Sequence, residues 1–252
     1  MSRTSQSEIV ESPCKKFLQW GTVKETIIVD GDEVEKLKGG TFTFYDKENK
    51  VKVPIKLPLK FAILNPDLVS YKGYDEGSKQ GNWSNEVRDP NHVVNFRNKA
   101  GKILSFKKSE YKLNKDALAG YGAKYTQSVY IAVEVNGKFE IWNLQLSGGS
   151  LSGAPADSFN ITEEEKMDGW FSFTKHNKSK LFSNFIEVNT FKLKKKGATK
   201  FTIAVFELGK EINQTNLDEL NVLDEELNKY LDYYFVKPEV TQDKEVLEET
   251  DY

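Results

Sequence analysis

Apolar positions along this chain recur at two spacings, and a period of two dominates. In YTQSVYIAVEV (125–135) and KFEIWNLQL (138–146), apolar and polar residues alternate as they do on a half-buried strand. Between them stands Asn136-Gly137, a pair that tolerates positive φ at both positions, so the two runs predict a hairpin with a two-residue turn. That turn sets the register. Val135 falls opposite Lys138, Val133 opposite Glu140, Ile131 opposite Trp142 and Val129 opposite Leu144, which makes one face apolar away from the tip. Trp142 therefore belongs to the core. The other face pairs Ala132 with Ile141, Tyr130 with Asn143 and Glu134 with Phe139. It is mixed, as a binding face could be, and makes Tyr130 and Phe139 candidates.

Two further runs alternate. In NKVKVPIKL (49–57), Val51, Val53, Ile55 and Leu57 share one side and Lys50, Lys52 and Lys56 the other, while Pro54 marks an edge strand or bulge. In FKLKKK (191–196), Phe191 and Leu193 face in and Lys192, Lys194 and Lys196 face out, before Gly197 and a second strand, KFTIAVFEL (200–208). Two lysine stripes result. Their charges repeat every ~6.6 Å along a strand, comparable to the phosphate spacing of an extended single strand. Edge protection against aggregation is the competing reading of either stripe.

Helical spacing is rarer. Thr162 and Glu165 form a capping box that predicts a short helix near residues 163–176. Leu217, Leu220, Leu223, Leu227, Leu231 and Tyr234 recur at three and four, predicting an amphipathic helix over 217–235. Between about Thr41 and Leu208 the pattern is of short strands separated by Gly, Asn and Lys turns. The expected class is mainly β: an OB-like β-barrel elaborated with long hairpins, a short internal helix and the C-terminal amphipathic helix. Residues 1–12 are expected to be disordered, 13–236 to form the domain, and 237–252 to be a flexible acidic tail.

Charge sharpens this picture. The net is only −2, but residues 218–252 hold twelve Asp/Glu against three Lys, a net of −9, which leaves +7 on residues 1–217 (33 basic, 26 acidic). A basic body joined to an acidic segment suggests nucleic-acid binding with a built-in competitor. A solvated acidic helix and frayed end is the plainer alternative. The single cysteine, Cys14, allows no intramolecular disulfide, so the chain reads as intracellular and cytoplasmic. No run is apolar and long enough to span a bilayer.

Catalytic chemistry finds little support. His92 and His176 are the only histidines, and no HExxH, GxSxG, Walker A or GxGxxG motif occurs. The acidic group Asp157, Glu163, Glu164, Glu165 and Asp168 reads as helix-dipole complement rather than a metal site. A non-enzymatic chain without cofactor or metal is expected.

The positive signal is aromatic residues interleaved with bases, the mix that suits unpaired bases and their phosphates. Between Asn95 and Lys115 stand Arg97, Lys99, Lys102, Lys107, Lys108, Lys112 and Lys115, with Phe96, Phe106 and Tyr111 among them. A second group, Tyr71, Lys72, Tyr74 and Trp83, lies in a Gly-rich stretch. With 12% aromatics, most such rings must be core, which is the reading each candidate competes with.

The strings GGTFTFYD (39–46), WSNEVRD (83–89), YTQSVYIAVEVNGK (125–138), NLQLSG (143–148) and VFEL (205–208) resemble a family of phage and prophage single-stranded-DNA-binding replication proteins of OB-fold type. The resemblance spans most of residues 15–235. It implies non-specific coating and protection of single strands during phage replication and recombination, in the host cytoplasm. The end of the chain, with Glu248, Glu249, Asp251 and Tyr252, is similar to the acidic, aromatic-ended tails of single-strand binders, which compete with DNA and recruit replication proteins. The proline before a final phenylalanine in the bacterial version is absent. The alternative class is a phage structural or carbohydrate-binding β-protein, whose exposed aromatics stack on sugars.

Overall fold

The Asn136-Gly137 turn forms as its chemistry dictates, with φ of 52° and 79° at the two residues. This computed structural model describes residues 10–29, 32–153 and 168–236. The strands are β1 (Lys16–Val29), β2 (Asp32–Asp46), β3 (Val51–Pro54), β4 (Leu59–Asp75), β5 (Gln80–Ser84), β6 (Val93–Asn98), β7 (Gly101–Lys107), β8 (Ala123–Val135), β9 (Lys138–Ser147), β10 (Asn184–Lys196) and β11 (Thr199–Glu211). The helices are α1 (Tyr111–Gly120), α2 (Gly149–Ser152), α3 (Trp170–His176) and α4 (Gln214–Val236).

The β8–β9 hairpin has the expected register throughout, from Val135 opposite Lys138 to Val129 opposite Leu144, and Trp142 is buried. Pro54 ends β3, which forms one edge of the sheet. The β-rich zone starts earlier than the pattern suggests. It opens at Lys16 rather than near Thr41, because the long β1–β2 hairpin alternates less cleanly.

The strand order is β3-β2-β1-β9-β8-β4-β5-β6-β7, with β1 parallel to β9 and the other neighbours antiparallel. β4 joins the parts. One of its edges carries β8, while the other meets β10 at Leu59–Phe61 and β5 at Lys72–Asp75. The fold is thus mainly β, with a mixed sheet. It does not close into the expected barrel. Where β11 meets β1, side chains make the contact instead of a backbone ladder: Trp20 Nε1 donates to the Thr202 carbonyl (3.0 Å) and the Thr202 amide to Thr22 Oγ1 (3.0 Å).

Three apolar clusters hold the sheet, each fully buried aliphatic or aromatic side chain contributing about 1.5–3 kcal/mol. The first unites Leu18, Phe61, Ile131, Trp142, Trp170 and Phe206. The second lies under α4, whose Leu220, Leu227, Tyr230, Leu231 and Tyr234 cover Leu64, Leu68 and Ala132. Helix α4 begins where Asn213 Oδ1 accepts from the Asn216 amide (2.9 Å), an N-cap. The third packs Tyr71, Val94, Phe96 and Phe106 against Leu118 of α1.

Two expectations at the chain's margins change. Val10, inside the 1–12 segment, packs against the α4 cluster together with Cys14, while residues 1–9 lie outside the described ones. Helix α3 begins only at Trp170, behind Gly169, and Thr162 and Glu165 lie outside the described residues, as does the 237–252 segment. Among the described residues no helix is long and apolar enough to cross a membrane.

Candidate nucleic-acid interface

Strand pairing gathers one of the two aromatic-basic groups into a groove and dissolves the other into core and surface. Cross-strand register sets Trp83 of β5 against Lys72 of β4, and Lys72 against Lys124 of β8. An aromatic ring and two cations thereby share one row across three strands. The next row is Ser70, Thr126 and Ser147, and beyond it Ser128, Gln145 and Gln19 stand side by side.

These rows border an open groove of about 610 Å³ that also reaches Trp20, Tyr74, Glu76 and Asn82. Tyr74, two residues on from Lys72, is 51% exposed, whereas Trp83 is 3% exposed. Close approach at one end depends on glycine. A Cβ at Gly73 would fall 2.1 Å from the Gly122 carbonyl oxygen, and one at Gly122, whose φ is +69°, would fall 2.0 Å from the Tyr74 carbonyl oxygen.

The groove's amides have fixed orientations. Asn82 Nδ2 donates to the Tyr121 carbonyl (2.9 Å) and Gln19 Nε2 to Gln145 Oε1 (3.1 Å). Asn82 Oδ1, Trp83 Nε1, Gln145 Nε2, Ser70 Oγ and Ser128 Oγ are buried and have no hydrogen-bond partner. Such atoms cost about 1–3 kcal/mol each when left unmade. Asn82, Trp83 and Gln145 line the groove, and Ser70 and Ser128 stand in the rows that run on from it.

Four predicted rings are buried: Trp83 borders the groove but at 3% exposed has no free face for a base, and three others lie away from it. Tyr71 and Phe106 lie in the third core cluster, 1% and 5% exposed, because β6, β7 and α1 fold over them. Burial, with Tyr111 and Tyr125 close by, pushes the Tyr71 phenol well above its ordinary pKa. Tyr130 is buried beneath α4, and its hydroxyl donates to Glu86 Oε2 (2.9 Å). Two more rings have protein partners. Tyr111 stacks on Tyr71, and the half-buried Phe139 stacks on Phe185 with centroids 6.2 Å apart.

The basic candidates scatter. Arg97 is buried, with Nε donating to the Asn95 carbonyl (3.4 Å), so it is no surface phosphate ligand. Lys107 is exposed, while Lys108 Nζ donates to the Arg88 carbonyl (2.5 Å) and burial lowers its pKa against the pull of Asp67 and Asp89. Lys52 and Lys56 are exposed at the β3 edge and are not among the residues that line the groove. Lys192 and Lys194 both bind Asp168, the latter at 2.7 Å, so these two charges of the stripe are already paired with a carboxylate. Lys196 lies on β10 and its side chain is outside the described ones, as are Glu248, Glu249, Asp251 and Tyr252.

Lys72, Tyr74 and Trp83 are thus the predicted residues that the fold brings together. Gln19, Trp20, Asn82, Lys124 and Gln145 escaped sequence reading. Lys124, next to the clear β8 run, was within reach of an alternation argument, but its partner on β4 is a nonlocal fact. The chain matches no family model, no curated protein and no solved structure.

Proposed function

We propose that this chain is a non-enzymatic single-stranded-DNA-binding protein that holds the strand in the β5-β4-β8 groove. The observation that carries the reading is the Trp83–Lys72–Lys124 row beside the half-exposed Tyr74. Lys72 and Lys124, directly opposite on neighbouring strands, bring two cations to one row, where a phosphate could lie between them. Tyr74 offers a ring to an unpaired base, a contact worth about 1–3 kcal/mol and tolerant of sequence. The mixed sheet is open, and Tyr74 is accessible on this face. Coating of single strands in phage replication or recombination is the setting that the sequence resemblance suggests.

Trp20 and Trp83 both line the groove, so fluorescence provides the test. Oligo-dT is expected to quench the protein's emission at low salt, with affinity falling as salt rises through counterion release, and duplex is expected to bind more weakly. Absence of quenching at low ionic strength, or equal affinity for duplex, would overturn the proposal.

A second reading rests on the groove's amide and hydroxyl lining, which suits the hydroxyls of a carbohydrate stacked on Tyr74. Quenching by a neutral oligosaccharide, indifferent to salt, would support it.

A further inference from the structure

The two faces of the β10–β11 hairpin differ in how their lysines are partnered. Across the ladder Lys192 stands opposite Ile203 and Lys194 opposite Phe201 on one face, while Leu193 stands opposite Thr202 and Lys195 opposite Lys200 on the other. Asp168 binds Lys192 and Lys194, so the first face is paired. The second is not. Lys195 and Lys200 are exposed, and among the described residues neither ammonium has a hydrogen bond or an ion pair. Leu193, on the same face, is 55% exposed.

This second face begins at the groove. Trp20, which lines the groove, donates from Nε1 to the Thr202 carbonyl (3.0 Å), and Thr202 Oγ1 lies 3.2 Å from Thr22 Oγ1. The Thr202 side chain thus marks the side of the hairpin that looks toward β1, and Lys200, two residues nearer the hairpin end, shares that side at a distance of ~6.6 Å along the strand. The groove itself crosses β5, β4, β8, β9 and β1, from Trp83 through Lys72, Lys124 and Gln145 to Trp20. Four inter-strand steps of ~4.8 Å make it about 19 Å long, the span of about three nucleotides at one per ~6.6 Å. A longer strand has to leave it, and at the Trp20 end the contact with Thr202 leads onto Leu193, Lys195 and Lys200.

We propose that a single strand held in the groove continues past Trp20 onto this face of the β10–β11 hairpin, with a base against Leu193 and phosphates at Lys195 and Lys200. The inference rests on the DNA reading of the groove and adds a second contact surface to it, so the bound length exceeds what the groove alone holds. Lysines engage phosphates as point charges through charge-assisted hydrogen bonds, and the exposed leucine offers apolar surface to a base. Neither contact selects a sequence, because every nucleotide brings a phosphate and every base a face.

Fluorescence anisotropy of labelled oligo-dT of two lengths, about four and about twelve nucleotides, with the full chain at two salt concentrations tests this. Lys195→Ala/Lys200→Ala is expected to weaken binding of the longer oligonucleotide roughly tenfold at low salt and to lower its log-affinity versus log-salt slope by up to ~1.4, two phosphate contacts at ~0.7 each. The shorter one is expected to bind variant and wild type alike. Lys195→Arg/Lys200→Arg keeps both charges and is expected to bind both lengths as wild type does, whereas Leu193→Ser is expected to weaken the longer one with no change of slope. Unchanged thermal unfolding verifies that each variant is folded. A wild-type protein that binds neither length overturns the groove reading and this inference together. If both lengths bind, and the double alanine variant loses nothing or loses equally for both, the hairpin contact alone is overturned and the groove stands.

Discussion

The ring of Tyr111, at the start of α1, lies nearly parallel to that of Tyr71 on β4, with centroids 5.3 Å apart and planes inclined by 23°. A residue whose sequence context suggested base stacking thus spends its face on the protein. The pair holds α1 onto the sheet. Tyr111→Ala is expected to destabilise the fold by about 1–3 kcal/mol, from lost area and a lost aromatic pair, and to leave the salt dependence of DNA binding unchanged. Urea unfolding and a salt titration check the two parts, and wild-type stability would remove this role for the ring.

In the groove, two variants separate charge from stacking. Lys124→Ala is expected to weaken binding of oligo-dT and flatten the log-affinity versus log-salt slope by up to ~0.7, one phosphate contact on a single strand. Tyr74→Ala is expected to cost about 1–3 kcal/mol of binding with no change of slope, since stacking releases no counterion. Equal slopes in wild type and Lys124→Ala would remove the lysine from the interface.

Asp168 links α3 to β10 through Lys192 and Lys194. Burial alone would raise the carboxyl's pKa, but the two lysine hydrogen bonds and charges outweigh it and hold it below the ordinary value. A folded-state pKa depressed beneath the unfolded value of about 3.9 contributes stability that is present above that value. That stability is lost as pH falls through the folded pKa. Asp168→Asn is therefore expected to destabilise the protein at neutral pH and to reduce the loss of stability on acidification below about pH 4. Denaturant unfolding at neutral and acid pH measures both, and parallel pH curves for wild type and variant would contradict the assignment.

Residues 239–252 carry six Asp/Glu against one Lys. Tethered to a chain that is basic over residues 1–217, such a segment is expected to compete with phosphate at an effective concentration of order mM. Truncation after Pro238 is expected to raise affinity for single strands, most at low salt, because at 0.1 M charges are already screened beyond about 10 Å. Filter binding at two salt concentrations checks it. Equal affinities for full and truncated chains at low ionic strength would remove the competitor role and leave the segment either a partner-docking peptide or inert.

Local chemistry made part of this molecule legible in advance. The Asn136-Gly137 turn and strict alternation determine the β8–β9 register, since a slip of one residue would put Trp142 and Leu144 on the wrong face. Spacings of three and four likewise place Leu220, Leu227 and Leu231 on the buried side of α4. What sequence could not decide is which aromatic residues remain available to a ligand. Tyr71 and Tyr74 stand three apart on one strand amid similar neighbours, yet β6, β7 and α1 cover the first and leave the second 51% exposed. The same holds for charge. Lys194 looks like an outward lysine until Asp168 is brought to it from α3's side of the chain, and Lys124 becomes part of a site only when β8 pairs with β4. Alternation is a property of neighbouring residues and is written locally, whereas cover and cross-strand pairing depend on segments tens of residues away, so the tertiary fold alone settles them.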